Sequence, residues 1–251
     1  MDHWIEAIGE TSRLILAWQA PYEVQDRVRW AIGELSMTSD GVQFRYFQGD
    51  ELSRLNDGRT QDDLRSAGYL GYPAFDPRPG APPVFHEGVL EAFMRRLPPP
   101  KRADYPKYLE HFRLRSVDRA SPFSLLAITE ARLPSDGFSL IDPLDPVEPN
   151  RDVVIEVAGH RRNVTNRDHL FVGQPLQLAA DPENPHDPSA VRIEAGGQLI
   201  GHVNRLQAPT IGRWLRERDL SAWLQRLNGT AEAPRAFAFL QMRSRAGRKA
   251  A

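Results

Sequence analysis

The residues best suited to chemistry in this chain lie in Asp181 to Pro188, DPENPHDP. Asn184 supplies a carboxamide, His186 an imidazole, and Asp181, Glu183 and Asp187 carboxylates. Pro182, Pro185 and Pro188 each fix φ and restrict the residue before them, so these groups are presented on a held backbone. A plain connector has no need of that stiffness, whereas a surface that recognises a ligand through hydrogen bonds does. An Asp in a proline-rich turn also bonds its own loop backbone, so Asp187 has two roles open to it. A metal site would draw on His160, His169, His186 and His202 with Asp181 or Asp187. No pair among them has a usual ligand spacing, and neither a metal nor a cofactor is expected. A metal-dependent nuclease or other DNA-processing enzyme built on Asp181, Glu183, Asp187 and Glu194 is the alternative, without a carboxylate-x-Lys signature to support it.

The elements that must position this loop are strands. Leu176, Leu178 and Ala180 alternate with Gln177 and Ala179, Ala190 to Ile193 alternates again, and Gln198 to Val203 follows a Gly196-Gly197 hairpin turn. Val153 to Val157 and the stretch around Phe237 and Phe239 read as further strands of the same small sheet or barrel. Ile211, Trp214 and Leu215 mark an amphipathic helix, with Arg213, Arg216 and Arg218 assigned to its polar side.

Asn184-Pro185-His186-Asp187, then Ala190-Val191, then Ile200-Gly201-His202 follow one another as they do in the HIRAN domain, which residues from about Arg151 to Met242 resemble. The resemblance implies an OB-like β-barrel that binds DNA, in particular single-stranded 3′ ends. It gives Asp187 the role of accepting a hydrogen bond from a terminal 3′ hydroxyl. Gly159-His160-Arg161 matches the family's Gly-x-Arg, but Arg162 and Asn163 stand where the family has aromatics that stack bases. Stacking contributes about 1 to 3 kcal/mol per base, so two arginines here shift the expectation toward phosphate contact. The expected DNA-binding set is Arg161, Arg162, Asn184, His186, Asp187, His202 and Arg205.

Toward the start of the chain, Arg13 to Trp18, Val28 to Leu35 and Val42 to Phe47 read as an antiparallel meander, the last two joined through Ser39-Asp40-Gly41. The next stretch reads as loops and the proline cluster Pro77 to Pro83. From Glu87 the period changes to that of a helix, through Val89, Leu90, Phe93 and Met94. Pro106 to Phe112 and Pro122 to Glu130 read as two short helices with Pro near the first turn. Phe44-Arg45-Tyr46, Gly71-Tyr72-Pro73-Ala74-Phe75, Phe93-Met94-Arg95-Arg96-Leu97-Pro98, Arg102-Ala103-Asp104-Tyr105 and Ser121-Pro122-Phe123-Ser124-Leu125-Leu126 resemble the small N-terminal subdomain of HipA-type toxin kinases. That subdomain packs on the kinase and contacts the antitoxin. It implies a protein partner in a bacterial toxin-antitoxin or phage-defence setting: a HipA-like kinase, a regulator or a nuclease.

The expected fold class is α+β: a module over 1–143, a proline-rich linker over 144–150, an OB-like barrel with one or two helices over 151–242, and a basic tail over 243–251. The formal net charge of -1 conceals a division. Residues 1–150 hold 17 basic against 23 acidic side chains and residues 151–251 hold 15 against 10, so the second part is the one that faces a polyanion. No strand-borne glycine loop with its lysine, no His-x-Asp-x-x-x-x-Asn and no Gly-x-x-x-x-Gly-Lys-Ser/Thr is present, so no enzyme activity is expected. No run approaches a membrane span and the opening MDHWIEAIGE lacks a long apolar core, which predicts a cytoplasmic protein. The absence of cysteine accords with that. The function predicted is a DNA-binding adaptor, with a regulator of a HipA-type kinase that binds no DNA as another alternative.

Overall fold

The computed structural model describes residues 3–20, 28–76, 83–133, 135–145, 148–164, 167–230 and 232–245. The Pro21 to Asp26 connection, most of the 77–83 proline cluster, Pro146 and Val147 of the linker, and 246–251 of the basic tail lie outside them. The elements in chain order are β1 (Arg13–Gln19), β2 (Arg29–Thr38), β3 (Gly41–Tyr46), α1 (Gly49–Leu55), α2 (Gln61–Ser66), α3 (Val89–Met94), α4 (Tyr105–His111), α5 (Pro122–Thr129) and β4 (Phe138–Ile141). There follow β5 (Asn150–Glu156), α6 (His160–Asn163), β6 (Pro175–Ala180), β7 (Val191–Ala195), β8 (Gln198–His202), α7 (Ala208–Glu217), β9 (Arg218–Gly229) and β10 (Pro234–Ser244). The fold is α+β, with two separate antiparallel sheets.

One compact unit comprises Thr11–Tyr105 and Ala120–Pro143. Its sheet has the order β3-β2-β1-β4. Consecutive buried residues Leu14 to Trp18 fit the central position of β1, which is covered by neighbours on both edges. The rings of Phe44, Tyr72, Phe75 and Phe93 pack together over this sheet, with Phe44 and Phe93 fully buried. The meander agrees with the sequence reading. The stretch after it does not, because α1 and α2 occupy part of what reads as loops. Each is under two turns long, too short for a helical period to show. α2 is set instead by a capping box between Thr60 and Asp63, and α1 by Asn56, whose side chain bonds both the N–H and the carbonyl of Ala31 at 2.9 Å. β4 also escaped the pattern, as all four of its residues are buried.

The other unit comprises Met1–Glu10, Pro106–Arg119 and Leu144–Ala251. The first ten residues and 106–119 therefore fall with the C-terminal part, whereas the sequence reading assigns them to the N-terminal module. Asp152, nearly buried, accepts the N–H groups of Glu6 and Ala7 at 2.9 Å each, and His3 stacks on Trp223 with ring centroids 3.9 Å apart. Leu144, read as linker, is fully buried in this unit's core. Apolar surface that can be buried overrides the proline-rich composition around it.

The sheet of this unit has the order β5-β10-β9-β6-β7-β8. Its last strand returns to the chain just beyond its first: Ala158 and His202 exchange both backbone hydrogen bonds, each 2.8 Å. The sheet thus closes into a small barrel, OB-like in class. Gly201 makes the closure feasible, since its φ is +145° and a Cβ would fall on the Ala158 carbonyl oxygen. The Gly196-Gly197 pair has φ of 57° and 81°, as a two-residue hairpin turn between β7 and β8 requires. Inside lie Val191, Ile193, Ile200, Leu224, Leu240 and the fully buried Trp214 of α7. β9 is the element most plainly missed by sequence reading. Arg218, assigned to the helix, is its first residue, and a bulge opposite Phe237 and Ala238 interrupts its alternation.

Candidate nucleic-acid interface

The loop Asp181 to Ser189 joins β6 to β7 and is closed by hydrogen bonds from Asp181 N to Ala190 O at 2.8 Å and from Ala190 N to Asp187 O at 3.0 Å. Asn184 organises its interior. Its Oδ1 accepts the N–H of His186 at 3.0 Å and of Asp187 at 3.3 Å, which leaves Nδ2 to donate to Asp181 Oδ2 at 3.1 Å. His202, at the end of β8, brings Nε2 to 3.3 Å from the same carboxylate oxygen and 3.5 Å from Asn184 Nδ2. The hydrogen bond from Asn184, and then that of His202, hold the Asp181 carboxyl below its ordinary range. Asp187 Oδ1 accepts from Ser189 N at 2.8 Å, the backbone-bonding role weighed for it above. Among the described residues its other oxygen has no partner. The His186 side chain is exposed.

The barrel closure carries α6 to the same place. α6 begins two residues beyond Ala158, which pairs with His202, and it packs against β8 and β10. His160 anchors it: the residue is 2% exposed and its Nδ1 lies 2.9 Å from the Ile200 carbonyl oxygen. A carbonyl oxygen only accepts, so Nδ1 carries the proton, and burial pushes this imidazole below its ordinary range. His160 is thus a structural histidine. With it turned inward, Arg161 and Arg162 are exposed, and neither guanidinium has a partner among the described residues.

Several other arginines of the barrel are matched to an acid. Arg192 pairs with Glu194 at 2.8 Å, Arg213 with Asp145 at 3.1 Å, Arg235 with Glu156 at 2.6 Å and Arg243 with Asp152 at 2.7 Å. α6 offers two exposed guanidiniums without a partner among the described residues, while Arg216, also exposed, bonds the Gly212 carbonyl. Arg205 lies in the turn after β8, half-buried and not a free cation.

The structure thus brings together Asn184 and His202 directly, Asp187 and His186 through the Asn184 side chain, and Arg161 and Arg162 through the closure. Asp181 belongs to this cluster and was missing from the expected DNA-binding set. The signal for it was the i,i+3 spacing of Asp181 and Asn184, which suits a turn in which the first side chain receives the second. Among the described residues no group of three or more His, Asp or Glu side chains is placed to hold a metal ion. Of the carboxylates of the enzymatic alternative, Asp181 and Asp187 are engaged in the loop and Glu194 is paired with Arg192.

The family model of the HIRAN domain matches residues 150–237. Among solved structures, the crystal structure of the HIRAN domain of human HLTF is similar at 17% identity, covering 36% of this chain and 74% of that one, with a TM-score of 0.31. A crystal structure of a protein from Lactobacillus plantarum is similar at 16% identity, covering 37% of this chain and 98% of that one, also with a TM-score of 0.31. A search of curated proteins found no match. The family match supports DNA binding by the region that contains the loop, α6 and β8.

Among the described residues, no helix is long and apolar enough to cross a membrane.

Proposed function

We propose that this protein is a DNA-binding adaptor without catalytic activity, whose barrel engages single strands or 3′ ends through α6, the Asp181 to Ser189 loop and His202. The observation that carries the reading is the convergence, inside the HIRAN match, of two unpartnered arginines with a hydrogen-bonded polar loop. Arginines bind the backbone whatever the sequence, and the loop supplies the acceptors that read an end. The N-terminal unit holds a protein partner in this proposal, in a toxin-antitoxin or phage-defence setting in the bacterial cytoplasm. Its acidic balance and Leu70, 95% exposed between the anchored Tyr69 and Tyr72, support a partner surface.

The test is a fluorescence-anisotropy titration of the full chain with oligonucleotides that end in a 3′ hydroxyl or a 3′ phosphate, and with a closed hairpin. A 3′ phosphate sets its charge against the Asp187 carboxylate, while a hydroxyl donates to it. The wild type should prefer the hydroxyl end by about tenfold, the worth of one hydrogen bond to a charged group, and Asp187→Ala should lose most of that preference. Equal affinity for both ends would reduce the barrel to a general backbone binder.

A further inference from the structure

We propose that Asp181 is a positioning residue that fixes the tautomer of His202, so that β8 offers a ligand a hydrogen-bond acceptor and favours a hydroxyl-bearing end over a phosphorylated one. This rests on the DNA reading above and adds to it a residue outside the set expected to touch DNA.

The orientation of Asn184 is the starting point. With its Oδ1 accepting two backbone N–H groups, the amide cannot be turned over without losing both, so Nδ2 faces Asp181. Asp181 Oδ2 then lies 3.3 Å from His202 Nε2. An ionised carboxylate has acceptor sites alone. A bare Nε2 there would set lone pair against lone pair at 3.3 Å, and Asn184 Nδ2, already donating to Asp181 at 3.1 Å, offers it only a longer contact of 3.5 Å, so the neutral imidazole carries its hydrogen on Nε2 and donates it to Asp181. Nδ1 is left with the lone pair, and in a neutral ring it accepts and does not donate. No described residue fills it. The ring is partly open to solvent, with the side chain 24% exposed.

Three other groups bear on His202. Arg192 of β7 stands opposite it in register but is paired with Glu194, Ala158 meets it through the backbone, and the α6 arginines follow Ala158 by a few residues. The first is already neutralised and the second is uncharged. A ligand hydroxyl can donate to Nδ1, and another to the unpartnered oxygen of Asp187. A terminal phosphate presents oxygens to both acceptors and is disfavoured, whereas phosphates within the strand are served by Arg161 and Arg162.

Long-range proton–nitrogen NMR of the imidazoles in the full chain, without DNA and at a pH where His202 is neutral, reads the tautomer directly. The wild type should show His202 protonated at Nε2. Asp181→Asn can turn either its oxygen or its amide toward the ring, so it should give a mixture of tautomers or the Nδ1 form. In parallel titrations of the folded variant, the preference for a 3′ hydroxyl over a 3′ phosphate should fall by about fivefold, the worth of a neutral hydrogen bond. A wild-type ring protonated at Nδ1 would overturn the proposal without any variant. So would an Asp181→Asn protein whose tautomer moves while its end preference stays. A wild type that binds no DNA would instead overturn the functional reading, and the spectrum alone would then decide what Asp181 does to His202.

Discussion

The core of the N-terminal unit and α6 of the barrel use arginine in opposite ways. In the N-terminal unit Arg96 is 7% exposed at its side chain and fully engaged: it holds Asp136 through two nitrogens at 2.7 and 3.0 Å, donates to the carbonyls of Ala131 and Phe138, and lies over the Tyr72 and Phe138 rings. Arg45 clasps Glu51 at 2.6 and 2.8 Å and so ties β3 to α1. In α6 of the barrel, next to the buried His160, Arg161 and Arg162 are exposed and have no partner among the described residues. The guanidinium is the same group in both places. Its surroundings decide whether it holds the fold or stays open to solvent, and a charge count alone does not.

The sharpest way to break this contrast is to strand the structural arginine. Asp136→Ala leaves Arg96 buried without its carboxylate and should lower stability by about 3 kcal/mol or somewhat more, read by denaturant unfolding. The folded fraction should bind DNA as the wild type does. Loss of DNA affinity at full folding would place Arg96 among the binding residues and end the contrast. Gly201→Ala comes next. Its Cβ falls on the Ala158 carbonyl at positive φ, so it should cost about 2 to 4 kcal/mol and weaken DNA binding by separating α6 from the loop. Unchanged unfolding would show that the closure is dispensable. The smallest effect on stability, and the most informative about function, belongs to the double variant Arg161→Ala with Arg162→Ala. Its unfolding midpoint should stay where it is, while the slope of log affinity against log salt should flatten by about two phosphate contacts. A destabilised double variant with an unchanged salt slope would make these arginines structural as well.

The legible parts of the molecule are those set by neighbours in the chain. The meander, α3 to α5, the β7–β8 hairpin and α7 follow from alternation, helical spacing, proline positions and the two glycines. α1, α2 and α6 are too short for a period, β4 is buried throughout, and β9 loses its alternation at a bulge. In the candidate site, the stiff loop and its polar side chains were evident. The partner of each side chain was not: Asp187 bonds Ser189 within the loop, and His160, matched by position to a variable residue of the motif, is an internal anchor.

The sequence by itself determined the strand periodicity around the loop, the three prolines that stiffen it, the hairpin at Gly196-Gly197 and the displacement of basic charge toward 151–251. These depend on dihedral limits and side-chain spacing over a few residues, which act before any distant contact forms. Tertiary structure alone decided that Ala158 meets His202 and that Asp181 receives His202 across 21 positions. It also decided that residues 3–10 lie with a barrel that begins beyond position 143. Such pairings depend on which surfaces can be buried and which polar groups must then be satisfied, and no local spacing encodes that choice.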